Sequence, residues 1–153
     1  VTDAAREPSC VVRGLSTAGG QVRLVTRNLG LTAEGQTSLA PEATHPSALD
    51  LLVAALVADL LAGLHREAAR AGVTLHDAEL NVSAYLDNPL VALGVVGERG
   101  SAALAAIHGS LYVSSDARAE ALRVLWQQVL ERAPVHSTLG RCADVRIDLK
   151  PVP

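Results

Sequence analysis

The chain has 153 residues, of which 49% are apolar and 19% charged, and its 13 basic and 16 acidic side chains leave a net charge of −3. That length predicts one domain able to bury a core (a single unit over 1–153, its core about 9–150), and that composition excludes a disordered chain. Lys150 is the single lysine and Tyr85, Tyr112 and Trp126 are the only aromatics, which points away from a nucleic-acid surface.

The sequence begins at Val1 and contains no methionine, so a processed or trimmed N-terminus is expected. No charged-then-apolar leader precedes the first element, and a cytoplasmic protein is expected. The longest apolar stretch, Leu49 to Leu64, carries Asp50 and Asp59. It falls short of the ~20 residues that cross a bilayer, so it reads as a buried helix and no membrane partner is expected.

Ser9 to Leu15 and Gln21 to Arg27 read as two strands around the turn Ser16 to Gly20. In the second, Val22 and Leu24 alternate with Arg23 and Arg27. Leu29 to Ala33 is a candidate third strand, followed by a loop from Glu34 to Pro46. Ser47 then caps a helix, with Asp50 three residues on, where a carboxylate favours the positive end of the helix dipole. This helix runs to about Ala71 and stops at Gly72. Its first half is apolar nearly all round, which predicts burial on most sides. Its second half carries Arg66, Glu67 and Arg70 and is expected to emerge into solvent.

Leu75 to Leu86 reads as a strand with Leu80, Val82 and Ala84 on one face. The segment Asp87 to Gly100 is glycine-rich yet apolar, a composition suited to packing on a second subunit. Ala103 to Ser114 is another strand. Ser115 or Asp116 caps a second helix to about Arg132, whose stripe of Leu122, Leu125, Trp126, Val129 and Leu130 predicts core. A short helical turn, Val135 to Leu139, leads to a last strand, Ala143 to Lys150, with Val145, Ile147 and Leu149 facing inward. The predicted class is α+β in the order β-β-β-α-β-β-α-(α)-β.

No phosphate loop, dinucleotide fingerprint, nucleophile elbow or zinc-helix motif is present. The five histidines are scattered without metal-ligand spacing, so no metal or cofactor is expected. Cys10 and Cys142 form no metal-spaced pair and read as two separate thiols, with a first-to-last-strand disulfide as the alternative. Asp59 stands out in the middle of the apolar helix. A buried carboxylate there requires an arginine, histidine, backbone or cross-subunit partner, or an opening into a cleft.

The run from His45 to Asp59, His-Pro-Ser-Ala-Leu-Asp-Leu-Leu-Val-Ala-Ala-Leu-Val-Ala-Asp, resembles the signature of the OsmC/Ohr family, the osmotically inducible and organic-hydroperoxide-resistance proteins. There it reads approximately G-P-S-P-L-E-L-L-L-A-A-L-G-S-C. The segment Glu131 to Leu139 is similar to the family's C-P-V-x-x-T-L, and the element order fits over about residues 9 to 150. The resemblance implies an intertwined homodimer in which two central helices are wrapped by antiparallel sheets, with paired sites at the subunit interface. It also implies a chemistry in which a helix thiolate attacks an organic hydroperoxide and a second cysteine resolves it as a disulfide.

Carried over position by position, the resemblance places Asp59 where the attacking cysteine stands and Ala133 where the resolving one stands. The activating glutamate and arginine correspond to Leu49 and Gln21. The expected function is therefore a dimeric binding or interaction protein whose interfacial cleft takes a small apolar molecule, and not a thiol peroxidase. Two alternatives are an enzyme using Asp59 with His136 as acid and base, and a redox protein using Cys10 and Cys142.

Overall fold

A computed structural model describes residues 10–16, 20–34 and 43–152 of the protein. The expected start at Ser9, the centre of the Ser16–Gly20 turn and much of the 34–46 loop lie outside the described residues. The chain divides into two compact units, Val1–Leu51 and Leu52–Pro153.

The first unit contains β1 (Arg13–Ser16), β2 (Gln21–Thr26) and β3 (Leu29–Glu34) in one sheet, both pairings antiparallel. The β2–β3 register sets Val22 opposite Ala33 and Leu24 opposite Leu31, so one face collects the apolar side chains, as strand alternation requires. Val22, Leu29 and Leu31 on that face are exposed within the single chain.

Helix α1 (Ala48–Ala71) begins in this unit and runs on through the second. Its start follows the expected chemistry. The Asp50 backbone N–H donates to Ser47 Oγ at 3.1 Å, and the Ser47 backbone N–H donates to Asp50 Oδ2 at 2.8 Å. This reciprocal arrangement satisfies two N-terminal donors. Gly72, at φ 66°, takes the left-handed conformation that ends the helix without a Cβ penalty.

Two expectations about α1 need correction. The helix has 24 residues and an 18-residue window of mean hydropathy 1.9, so by length and composition it is long and apolar enough to cross a membrane. It is also not enclosed within one chain, because only 22% of its apolar window is buried. Leu56, Leu60, Gly63, Leu64 and Ala68 face the core, whereas Leu52, Ala55, Ala58 and Ala62 are exposed. One layer of partners covers one side of a helix, and within the second unit α1 has the layer of β5 and α3.

The second unit holds β4 (Leu75–Leu86), α2 (Pro89–Ala92), β5 (Leu104–Ser115), α3 (Ala119–Arg132), α4 (Pro134–Leu139) and β6 (Asp144–Val152). Its sheet has the order β4-β5-β6. The expected antiparallel pairing holds for β4–β5, but β5–β6 is parallel, because α3 and α4 form the crossover that a parallel pair needs. Leu56, Leu60 and Leu64 of α1 join Ile107, Leu111 and Val113 of β5 and Leu122, Leu125, Trp126 and Val129 of α3 in one core. Gly63 permits the α1–α3 approach, since a Cβ there would lie 3.0 Å from Val129. Trp126 is core as predicted, with its indole N–H 3.4 Å from the Ile147 carbonyl.

The loop from Asp87 to Ala103 contains a helical turn that composition did not reveal. Asn88 Oδ1 accepts the Leu90 and Val91 N–H groups and so caps α2. The loop leaves Leu90, Leu93, Val95 and Val96 exposed. Helix α3 starts after Arg118 with no side-chain cap, rather than at Ser115 or Asp116. Ser115 is committed elsewhere, its hydroxyl donating to Thr74 O at 2.6 Å.

Candidate functional site

Asp59 lies on α1, three turns from its start, partly buried against the short helix α4. Its Oδ2 accepts the backbone N–H of Val135 at 2.8 Å and that of His136 at 3.3 Å. Helix α4 opens on Pro134, which has no N–H, and the residue before it, Ala133, has no side chain able to cap. The first two free N–H donors of α4 therefore turn to a carboxylate supplied by another helix, which serves as their cap. Of the partners expected for Asp59, the backbone is the one it has.

Ala133 is fully buried and lies two residues before Val135, whose N–H the Asp59 carboxylate accepts. His136 is also here, but through its backbone. Its ring Nδ1 lies 3.2 Å from the Leu130 carbonyl and donates its proton there. No hydrogen bond among the described residues joins the Asp59 and His136 side chains. The His136 ring lines an open groove of about 390 Å³ with Gln127, Ser137 and Arg141.

Beside the junction is a shallow apolar cavity, open to solvent, of about 270 Å³, lined by Leu52, Pro134, Val135, Thr138 and Leu139. Leu52 precedes Asp59 by seven residues, two helical turns, so both lie on one face of α1. The Thr138 hydroxyl donates to the Pro134 carbonyl at 2.8 Å, which leaves the cavity wall largely hydrocarbon.

A second feature supports the junction and was misread in the sequence. Glu67 was expected in solvent with its arginine neighbours, yet it is only 2% exposed. Three guanidinium groups surround its carboxylate: Arg70 at 2.8 Å, Arg66 at 3.6 Å and Arg132 of α3 in direct contact. Arg132 immediately precedes Ala133, so this ion cluster ties α1 to the chain entering α4. Its sequence signal was Glu67 with arginines at one residue before and three after, a pattern that exposed helices show as well.

Gln21 and Leu49 lie in the N-terminal unit. Leu49 is in the first turn of α1, and an apolar side chain there supplies no charge. Gln21 Nε2 donates to Glu34 Oε2 at 3.2 Å, and Glu34 Oε1 accepts the Thr44 N–H at 2.9 Å and the His45 N–H at 3.3 Å. These bonds, that from Gln21 foremost, hold the Glu34 carboxyl below the usual carboxylate range. Cys10 and Cys142 are both exposed free thiols. Cys142 Sγ lies 3.3 Å from the Leu139 carbonyl. Among the described residues no three His, Cys, Asp or Glu side chains converge as metal ligands.

A family model described as OsmC-like protein matches residues 41–148, which takes in α1, the junction with α4 and most of β6. The chain belongs to the OsmC-like family. The OsmC-like protein of Mycoplasma pneumoniae superposes with a TM-score of 0.81 at 16% identity, covering 97% of this chain and 100% of that one. An OsmC-like protein of unknown function from Vibrio cholerae gives 0.71 at 11% identity, covering 95% and 99%. The organic hydroperoxide resistance protein OhrB of Bacillus subtilis gives 0.60 at 17% identity, covering 92% and 98%. At these identities the likeness shows the OsmC-like fold. No functionally curated protein matches the chain.

Proposed function

We propose that this protein is a binding member of the OsmC-like family that does not reduce hydroperoxides, and that it works as a homodimer holding a small apolar or acyl-like molecule. The observation that carries this reading is the Asp59 carboxylate at the α1–α4 junction, accepting the Val135 N–H beside the apolar cavity. A carboxylate has no sulfur to be oxidised by a peroxide and forms no disulfide, and Ala133 has none either. What remains is a helix junction closed by a cap and a cavity walled by hydrocarbon, which favours binding through apolar burial.

Exposed apolar surface supports the dimer. The Leu52, Ala55, Ala58 and Ala62 side of α1 and the Val22, Leu29 and Leu31 side of the first sheet are exposed among the described residues. Surface of this kind marks an interaction site. One lysine and a net charge of −3 favour a ligand other than nucleic acid.

Native mass spectrometry beside a denatured spectrum of the same sample tests the reading. A dimer with extra mass lost on denaturation is expected. A monomer, or a dimer that takes up no medium-chain fatty acid or alcohol when these are added, overturns it.

A further inference from the structure

The outward face of the second sheet differs from an ordinary solvated sheet face in where it places its aromatics. Both tyrosines of the chain lie on it, Tyr85 on β4 and Tyr112 on β5, and Tyr85 is 52% exposed. Ala106, opposite Tyr85, lies six residues before Tyr112, roughly 20 Å along a strand rising about 3.3 Å per residue. Between the two rings the face is a groove of about 570 Å³, whose floor includes Asn81, Ser83, Gly109 and Ser110. A Cβ at Gly109 would lie 2.6 Å from the Asn81 carbonyl and 3.0 Å from Ile147. Gly109 is in register with the core-packed Val82 and Ile147, so this tight fit, which only glycine meets, lies behind the groove floor.

Part of the charge bordering this floor is spent in one cluster. Arg146 clasps Asp144 through Nε at 2.9 Å and Nη2 at 2.8 Å, and His108 Nε2 lies 3.7 Å from the same carboxylate. The His108 ring stands against Tyr85 with centroids 5.6 Å apart, which widens the aromatic wall at that end. At the other end Lys150 Nζ sits 5.3 Å from the centre of the Tyr112 ring and fixes its orientation. Asp148 adds one carboxylate to the wall, and Glu79, opposite Tyr112 on β4, adds another and accepts the Asn81 amide N–H at 2.9 Å. The groove thus offers aromatic side chains at its two ends and serine, asparagine and carboxylate groups between them, without the excess positive charge that an anion requires.

We infer that this groove binds a neutral oligosaccharide, an extended chain whose C–H faces lie on Tyr85 and Tyr112 and whose hydroxyls bond to Asn81, Ser83, Ser110 and Asp148. A hydroxyl both donates and accepts, which suits a floor of serine and asparagine side chains that do the same. An extended chain is favoured over one ring because the two aromatic walls are too far apart for a single ring to touch both. The site is separate from the cavity at Asp59, and neither reading depends on the other.

The test is binding of the full-length protein to an array of neutral glycans spanning glucans, mannans, xylans and chitin fragments, with inorganic phosphate titrated in parallel. The wild type is expected to bind at least one glycan series, more strongly as chain length grows. Tyr85→Ala with Tyr112→Ala, both at accessible positions, should weaken that binding about tenfold or more, while Ser137→Ala on α4 should leave it unchanged. No binding across the array, binding indifferent to the double substitution, or phosphate competing at the groove would each overturn the inference.

Discussion

The Asp59 carboxylate on α1 accepts the Val135 N–H of α4 at 2.8 Å, so one helix carries the cap of another. The contact lies on the link between packing and function, because under the proposed reading it gives the family's thiol position a structural task. Removing a capping acceptor leaves helix donors unpaired. Asp59→Ala should therefore lower unfolding free energy by about 1–2 kcal/mol, and Asp59→Asn, which keeps an acceptor, by less. Urea denaturation of the three proteins checks the order. Equal stability for all three would show that the cap contributes nothing.

Glu67 is the other tie at this junction. Its carboxylate is buried among Arg66, Arg70 and Arg132, each about half exposed. Deleting it leaves three guanidiniums facing one another. Water already screens part of that repulsion, so the loss falls below the full cost of breaking a buried pair. Glu67→Ala should destabilise by about 2–3 kcal/mol, with salt recovering part of it. Arg66→Ala, at the longest distance, should cost least of the three arginine substitutions.

Much of the fold was legible because it is encoded locally. Ser47 and Asp50 mark the start of α1, Gly72 its end, and alternation in Val145, Ile147 and Leu149 marks the inward face of β6. What failed to show in the sequence depends on distant partners. Nothing in the pattern of β6 says that it pairs parallel to β5, since alternation records burial and not direction. Glu67 reads as a surface residue until Arg132 arrives from α3. Helix α2 is one turn held by Asn88 and too short to show a period. At the site, the position of Asp59 in an apolar helix signalled that it needs a partner, but that the partner would be the backbone of Val135 depended on how α4 docks.

Glu34 carries a pH prediction. Its hydrogen bonds from Gln21, Thr44 and His45 depress the folded carboxyl below the ordinary range. A depressed folded value means the stabilisation is fully present above the unfolded glutamate's value and is lost as pH falls through the folded one. Melting temperature followed from neutral to acid pH should fall more steeply for the wild type than for Glu34→Gln. Gln21→Leu should move the Glu34 titration, followed by carboxyl carbon NMR, back toward the ordinary range. An unmoved midpoint would contradict the assignment to Gln21.

The most direct measurement is reduction of cumene hydroperoxide and of hydrogen peroxide by the purified protein in the presence of a dithiol reductant. The comparison protein carries Cys10→Ser and Cys142→Ser. If Asp59 and Ala133 stand at the family's two cysteine positions, as proposed, the two proteins should consume peroxide at the same background rate. Catalytic turnover by the wild type that disappears in the cysteine-free protein would contradict the account and return the chain to the peroxidases.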